Sequence, residues 1–385
     1  MYRIAEIIEN DGAPSFVGEV SFHPSGSYFA ATYYHLNEVR IYDSHTRKLL
    51  QVLRNPKSEL DDPHAVLFTE KYLLVGNEHN LKRPGTINVY RNGGTITKPI
   101  QRFQSPFSHL REPHTFAMRG GRLAVTYSEN LAPSGAIVSY GFNEETGKIT
   151  DPLDKTESWF SEYGDPKGIC FNADGTKILV TFESDKQLSI GQLSVGGKVF
   201  RSLASDKDLP VSDRLANLSY KAINKFRRVI LHRAQSFNKT LKSVRRKKSV
   251  ELEKPNPQHI KPTQNGIAVF SINAEGKIAR SPDHVIVRKN FCRLENIDVF
   301  DRTCLITDLV NQSLFLYDLT RDIEFRNPIQ TINFGKAVPH GAKFSPDGRL
   351  LVTTCLGVKT VNQEPRWGEW ESPREDKIVV FESAI

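Results

Sequence analysis

Long apolar runs are missing from this chain of 385 residues, and no uninterrupted stretch approaches the roughly 18 apolar residues that read as a membrane-spanning helix. The first ten residues, MYRIAEIIEN, include two acids and lack the apolar centre of a secretion signal. Both absences lead to the expectation of a soluble protein made in the cytoplasm. Cysteine is scarce. Cys170, Cys292, Cys304 and Cys355 lie apart without CxxC spacing, and three sit in strand-like runs, so buried thiols are expected rather than disulfides or a thiolate zinc site. GxSxG is absent, which leaves the chain without the nucleophile elbow of α/β-hydrolases.

Positive charge is also lacking outside one segment. The formal net charge is +8, yet residues 201–262 hold 16 Lys or Arg against 5 Asp or Glu, leaving 36 against 39 for the remainder. The body is therefore slightly acidic, which argues against a nucleic-acid-binding surface of its own.

What is present is a repeat. Pro-His followed by a large apolar residue occurs as PHAVLF at 63–68, PHTFAM at 113–118 and PHGAKF at 339–344, with weaker copies GEVSFHPSG (18–26), PKGICFNADG (166–175) and ENIDVFDRT (295–303). A second apolar strand follows each copy: SYFAATYY, KYLLVGNE, GRLAVTYSE, TKILVTFES, TCLITDLV and GRLLVTTCL. A third follows in turn: EVRIYD, TINVYR, AIVSYGF, QLSIGQL, SLFLYDL and KIVVFES. Turn residues as in SPDGR, NADGT and RNGG punctuate the joins. Equivalent positions recur at intervals of about 45–53 residues, except for one of about 128, and the short intervals fit a four-stranded propeller blade. The chain at 1–385 is thus expected to be a single β-propeller domain. Six inner strands are recognised; a seventh blade is the alternative, since the long interval holds two hairpins, QLSIGQLSVGGKVF and GIAVFSINAEGKIARSPDHVIV. KIVVFES is only the third strand of its blade, so the N-terminal YRIAEII is expected to supply the outer strand and close the ring.

Four residues before each apolar anchor stand Gly18, His64, His114, Lys167, Asn296 and His340. The innermost strand of each blade lines the central channel, so these residues are expected to ring its mouth. The ends of the second strands come to the same face, bringing His35, Glu78 and His79, Glu129 and Asn130, Glu183 and Asp185, and Asp308 and Asn311. Such a concave polar basin suits a small molecule. One reading makes His64, His114 and His340 ligands of a divalent metal, since three neutral imidazoles with an open position form a catalytic pattern. In the other, His acts as general acid or base while Lys167 balances an anionic substrate. A purely local role for each His, bonding a neighbouring carbonyl or carboxylate, stands beside both.

The inner-strand pattern in VPHGAKFSPDGRLLVTT and DPHAVLFTEKYLLVGNE resembles the lactonase-like, or YVTN-type, β-propeller superfamily, which includes 6-phosphogluconolactonase-like proteins and has a grammar close to that of WD repeats. The resemblance covers most of the chain outside 203–262. It implies a propeller, commonly of seven blades, and a family mixing lactone hydrolases with members of no demonstrated activity. Where those lactonases would carry a basic residue after the second strand of the last blade, this chain reads TTCLGVKTV.

Residues 203–262 form an insertion of different character. Within 212–248, Leu215, Leu218, Ala222, Phe226, Ile230, Phe237, Leu241 and Val244 recur at the period of one helix face, with Lys and Arg between them and Ser212 or Asp213 as N-cap. The pattern predicts a basic amphipathic helix. It could lie on the propeller, on an anionic membrane surface or on a protein partner; interleaved aromatics suited to nucleic acid are lacking. A second excursion, LGVKTVNQEPRWGEWESPRED at 356–376, places Trp367 and Trp370 where they could cover a ligand.

The resulting expectation is a propeller with a small-molecule site at the channel mouth, used for hydrolase, lyase or isomerase chemistry. Its reactive groups are His64, His114, His340 and Lys167; its ligand-binding groups are Asn296, Glu78, Glu129, Glu183, Asp308, Trp367 and Trp370. The alternative is a non-catalytic scaffold docked through the basic helix.

Overall fold

The structure is a computed structural model and describes residues 1–10, 15–54, 57–78, 85–107, 109–128, 135–183, 265–288, 291–322, 324–361, 364–370 and 376–384. The expected helix at 212–248 lies outside the described residues, as does the rest of 203–262. Among the described residues, helix is confined to a 3-10 turn at Tyr34–Leu36 and α1 (Ser158–Tyr163), and no helix is long and apolar enough to cross a membrane.

Six four-stranded antiparallel sheets make a six-bladed β-propeller. The N-terminal strand β1 (Tyr2–Glu9) belongs to the last blade. The first contains β2 (Val17–Phe22), β3 (Tyr28–Tyr33), β4 (Glu38–Asp43) and β5 (Leu49–Arg54); the second β6 (Pro63–Phe68), β7 (Tyr72–Asn77), β8 (Thr86–Arg91) and β9 (Pro99–Gln104). The third contains β10 (Pro113–Arg119), β11 (Arg122–Tyr127), β12 (Ala136–Asn143) and β13 (Lys148–Thr156); the fourth β14 (Asp165–Phe171), β15 (Lys177–Glu183), β16 (Gly266–Ser271) and β17 (His284–Val287). The fifth has β18 (Leu294–Phe300), β19 (Thr303–Asp308), β20 (Ser313–Asp318) and β21 (Gln330–Asn333). The sixth is built from β22 (Val338–Phe344), β23 (Leu350–Leu356), β26 (Lys377–Ser383) and β1, in the order β22-β23-β26-β1, with a ribbon of β24 (Val358–Val361) and β25 (Glu364–Trp370) between β23 and β26.

The expected closure is present: β1 runs antiparallel to β26 from Tyr2 opposite Ser383 to Glu9 opposite Lys377. One strand differs from expectation. The third strand of the fourth blade is GIAVFS in β16, paired with β15, and not QLSIGQL, which lies outside the described residues. The second of the two hairpins in the long interval is therefore the outer half of the fourth blade.

Six apolar clusters lie between successive blades, so each sheet is covered on both faces. That explains why second strands such as KYLLVGNE read as continuous apolar runs rather than alternations. Ala30, Val39, Val66 and Val75 join the first and second blades, and Val17, Val20, Val352 and Val380 join the last to the first. Because the sixth interface is as apolar as the others, the ring closes by burial as well as by β1 pairing.

A repeated irregularity sets the channel mouth. Each inner strand shifts register near its start, between Val17 and Val20, Pro63 and Val66, Pro113 and Thr115, Pro166 and Ile169, Leu294 and Ile297, and Pro339 and Ala342. Such bulges re-aim side chains. A threonine in the second strand stitches five of them: the hydroxyls of Thr32, Thr126, Thr181, Thr307 and Thr354 accept from the amides of Glu19, Thr115, Gly168, Asn296 and Gly341. The same hydroxyls donate to carbonyls of the next blade, those of His64, Lys167, Glu295, His340 and Gly18.

Candidate functional site

The bulges place Gly18, His64, His114, Lys167, Glu295 and His340 at one level around the channel. Glu295, not Asn296, holds the fifth place. Val299 pairs with Cys304 as Phe68 pairs with Leu73, so Val299 is the counterpart of the apolar anchor and Phe300 lies one residue beyond it. A one-residue slip exchanges faces, and Asn296 instead donates its amide to Glu19.

The three imidazoles converge. The ring centroid of His64 is 4.3 Å from that of His114 and 5.1 Å from that of His340, and all three residues are buried. His64 Nδ1 donates to the carbonyl of His114 at 2.9 Å. A carbonyl only accepts, so Nδ1 carries the proton and Nε2 is left as the lone-pair nitrogen. His114 Nε2 lies 2.9 Å from Glu295 Oε1, and Nδ1 lies 3.2 Å from the Thr115 hydroxyl. His340 Nε2 is 3.5 Å from the same Glu295 oxygen.

Burial sets the charge states. It pulls His64 down to about 4 and His340 to about 3, against the opposing pull of Glu295, and holds His114 well below its ordinary value. All three are neutral at pH 7, the form in which imidazole binds a metal. Burial acts to raise Glu295, but Lys167, His114 and His340 outweigh it and keep this carboxylate ionised well below the usual range. For Lys167 burial is likewise outweighed, here by Glu295, Glu183 and Asp165, which raise it; its ammonium donates to the Ser128 hydroxyl at 3.0 Å.

Two triads bring ligand-capable atoms within 4.8 Å of one another: His64, Glu295 and His340, and His64, Glu78 and His114. In the second, Glu78 lies 3.8 Å from His64 Nδ1, the nitrogen already spent on a carbonyl. Burial raises Glu78 to about 8. The first triad combines an ionised carboxylate with two neutral imidazoles, a donor set suited to zinc, iron or cobalt.

The other expected residues fall differently. Glu183 is buried and its carboxylate meets Arg293 at 2.8 Å, close enough to Lys167 to raise it. Asp308 takes up the amides of Cys292, Arg293, Val310 and Asn311 and the side-chain amide of Asn311, so it organises the loop rather than facing a ligand. Glu129, with His79, Asn130 and Asp185, lies outside the described residues. Trp367 and Trp370 sit on β25, and their side chains lie outside the description. Cys170, Cys304 and Cys355 are buried thiols and Cys292 is half-buried.

Three groups escaped the sequence reading. Glu19 is buried beside the ring, and burial raises it to about 8 against Lys343 and Asn296. Phe16 packs its ring 5.3 Å from His340 and 5.4 Å from Tyr34. Glu295 was the third, and its only signal was the alternative alignment of ENIDVF on Val299. A cavity of about 370 Å³ is lined by residues of all six inner strands, with the polar groups of Ser21, Arg119, Asp298, Lys343 and Ser345 among apolar ones.

No family model matches this chain. No curated protein matches its sequence either. Solved structures do. Hydrazine synthase of Kuenenia stuttgartiensis aligns over 99% of this chain and 99% of its own at 11% identity and a TM-score of 0.50. A luciferin-regenerating enzyme aligns over 98% and 95% at 8% identity and 0.54. A protein assigned as a gluconolactonase aligns over 99% and 93% at 9% identity and 0.51. These likenesses establish the fold. The resemblance to lactonase-like propellers therefore holds at the level of architecture.

Proposed function

We propose that the channel mouth is the active site of a metal-dependent enzyme acting on a small polar molecule, with a divalent transition metal held by His64, Glu295 and His340. The observation that carries this reading is the approach, within 4.8 Å, of two buried neutral imidazoles and an ionised carboxylate. A metal so held would polarise a substrate carbonyl and lower the pKa of a bound water. Lys167, facing Glu295, balances negative charge developing on the substrate, and His114, fixed by Glu295 and Thr115, keeps that carboxylate in place. Hydrolase chemistry fits these roles, with lyase and isomerase chemistry drawing on the same groups. Two propellers of like fold are described as a gluconolactonase and a luciferin-regenerating enzyme, which favours an enzyme among propeller functions. Equilibration of the purified chain with zinc, cobalt(II), iron(II) or manganese(II), followed by elemental analysis, tests the proposal. One metal per chain, lost in His340→Ala and in Glu295→Gln, is expected; a chain that retains none of the four overturns it.

A second reading concerns the basic segment. Residues 201–262 carry 16 Lys or Arg against 5 Asp or Glu, in a body of slightly negative charge, and this partition favours an anionic membrane surface as its target, with a protein partner as the alternative. Cosedimentation with vesicles containing phosphatidylserine is expected to fall sharply when 203–262 is deleted. Unchanged cosedimentation would remove the membrane from consideration.

A further inference from the structure

His340 stands between two carboxyl groups. Its Nε2 lies 3.5 Å from Glu295 Oε1 and its Nδ1 lies 3.8 Å from Glu19 Oε1. Among the described residues, His340 Nδ1, Glu19 Oε1 and Asn296 Oδ1 are buried polar atoms without a hydrogen-bond partner. Three such atoms at one place are unusual in a folded interior, where buried polar groups are nearly always hydrogen-bonded. The rest of the arrangement is well determined. The second oxygen of Glu19 takes the Asn296 side-chain amide, and the backbone amides of Glu19 and Asn296 are held by Thr32 and Thr307.

The sequence makes room for this approach. Gly341 follows His340, and a Cβ there would lie 2.8 Å from Glu19 Cα and 3.1 Å from Glu19 Oε2. Any other residue would push Glu19 out of the channel wall. The other acceptor at the His340 ring is the Gly18 carbonyl, which contributes a hydrogen bond to the ring beside the one it takes from the Thr354 hydroxyl, so the ring is held between this carbonyl and the Glu19 carboxyl group.

We infer that Glu19 is a positioning residue for the metal ligand His340, receiving its Nδ1 proton while Nε2 is turned to the metal. The inference rests on the metal reading above. A neutral imidazole has one N–H; once Nε2 gives its lone pair to a metal, the proton must sit on Nδ1, and the carboxyl oxygen beside Nδ1 is Glu19 Oε1 at 3.8 Å. Closing 3.8 Å to a hydrogen bond takes a small rotation of the ring. An acceptor group placed behind a metal-bound histidine fixes the ring's orientation and tautomer, and loss of such partners typically weakens metal binding 10–100-fold.

The test is a chelator-competition titration of the full chain with cobalt(II) or zinc, comparing wild type with Glu19→Gln and Glu19→Ala. Melting of the metal-free proteins in EDTA and the visible spectrum of the cobalt forms are recorded alongside. Glu19→Gln is expected to bind metal 10–100-fold more weakly, to shift the cobalt spectrum, and to melt no lower than wild type when metal-free. A merely structural Glu19 would lower the metal-free melting temperature and leave the cobalt spectrum as it was, and that result overturns the inference. Wild-type affinity in Glu19→Gln does so as well. Failure of the wild type to take up metal removes the metal reading and this inference together, which is distinguishable from the loss of Glu19's role alone.

Discussion

His64 Nδ1 donates to the carbonyl of His114 at 2.9 Å, and this bond does between the second and third blades what a threonine hydroxyl does at the other five joins. The second strand of the second blade has Gly76 where the others have threonine, and a Cβ at Gly76 would lie 2.9 Å from both the Phe116 ring and the Pro113 carbonyl. With no hydroxyl available there, the imidazole supplies the stitch. The Pro-His signature thus has two uses at one residue: His64 ties the ring together through Nδ1 and leaves Nε2 for chemistry.

The stitches carry stability. Thr307 accepts from Asn296 N at 2.9 Å and donates to the His340 carbonyl at 2.8 Å, fully buried. Replacing it by valine keeps the shape and orphans both partners, so Thr307→Val is expected to destabilise the chain by about 1–3 kcal/mol in chemical denaturation. A loss below about 0.5 kcal/mol would mean that the stitches are incidental to ring closure.

The three histidines should separate experimentally. His340→Ala removes a metal ligand whose ring has only a long contact to Glu295 at 3.5 Å and a shared carbonyl at Gly18 as interblade partners, so metal binding is expected to fall by two orders of magnitude or more, with a smaller loss of metal-free stability than in His64→Ala. His64→Ala loses the ligand and the bond to His114, lowering both, with about 1–2 kcal/mol for the latter. His114 is occupied by Glu295 and Thr115, and its alanine variant is expected to bind metal within roughly tenfold of wild type, a difference of about 1.4 kcal/mol. Calorimetric metal titration of the three variants beside thermal melts in EDTA would reveal that order.

The metal-free protein should lose stability on both sides of a mildly acidic optimum. Glu19 and Glu78 sit near 8 when folded and near 4.5 when unfolded. The native state therefore binds more protons in that window, and their contribution declines as pH rises from about 4.5 towards 8. His64 and His340 run the other way: lowered from 6.5 to about 4 and about 3, they bind fewer protons in the native state, so stability is lost as pH falls below 6.5. Between 6.5 and 8 only the carboxyl effect remains of the two. The double variant Glu19→Gln, Glu78→Gln is expected to flatten the decline above pH 6.5 in EDTA; an unaltered slope would contradict the placement of those groups.

Much of the ring was legible because blade grammar is local. The interval of about 45–53 residues, the Gly and Asp turns and the apolar second strands all lie within one hairpin's reach, and they gave the six blades and the closing β1 strand. What failed did so for physical reasons. The inner-strand bulge sets two residues against one, so counting back from an apolar anchor is safe only if the anchor is right; Phe300 offered a bulkier anchor than Val299 and shifted the reading from Glu295 to Asn296. The fourth blade's third strand lies beyond an insertion, and QLSIGQL imitates it with the right alternation. Glu19 meets Asn296 across 277 residues of sequence, an approach that depends on Gly341 and on ring closure, and no local pattern encodes it.

Phe16 offers a test of strain beside the site. Its φ of 50° is a left-handed conformation that a bulky side chain rarely adopts. The conformation is held by Asp376, which accepts from Phe16 N at 3.1 Å, and by Tyr34 N, which donates to the Phe16 carbonyl at 3.0 Å. The ring lies over His340 and His64, with centroids at 5.3 and 6.3 Å, on the side where Gly18 contributes no side chain to the mouth. Truncation to alanine loses those contacts and keeps the backbone strain, whereas truncation to glycine loses the contacts and relieves it. Phe16→Gly is therefore expected to be more stable than Phe16→Ala by about 1 kcal/mol, the reverse of the ordinary order of the two residues in regular structure. Equal stabilities, or alanine ahead, in paired urea titrations would show that the loop relaxes once the ring is gone and that the left-handed backbone is imposed by the ring's packing rather than by Asp376.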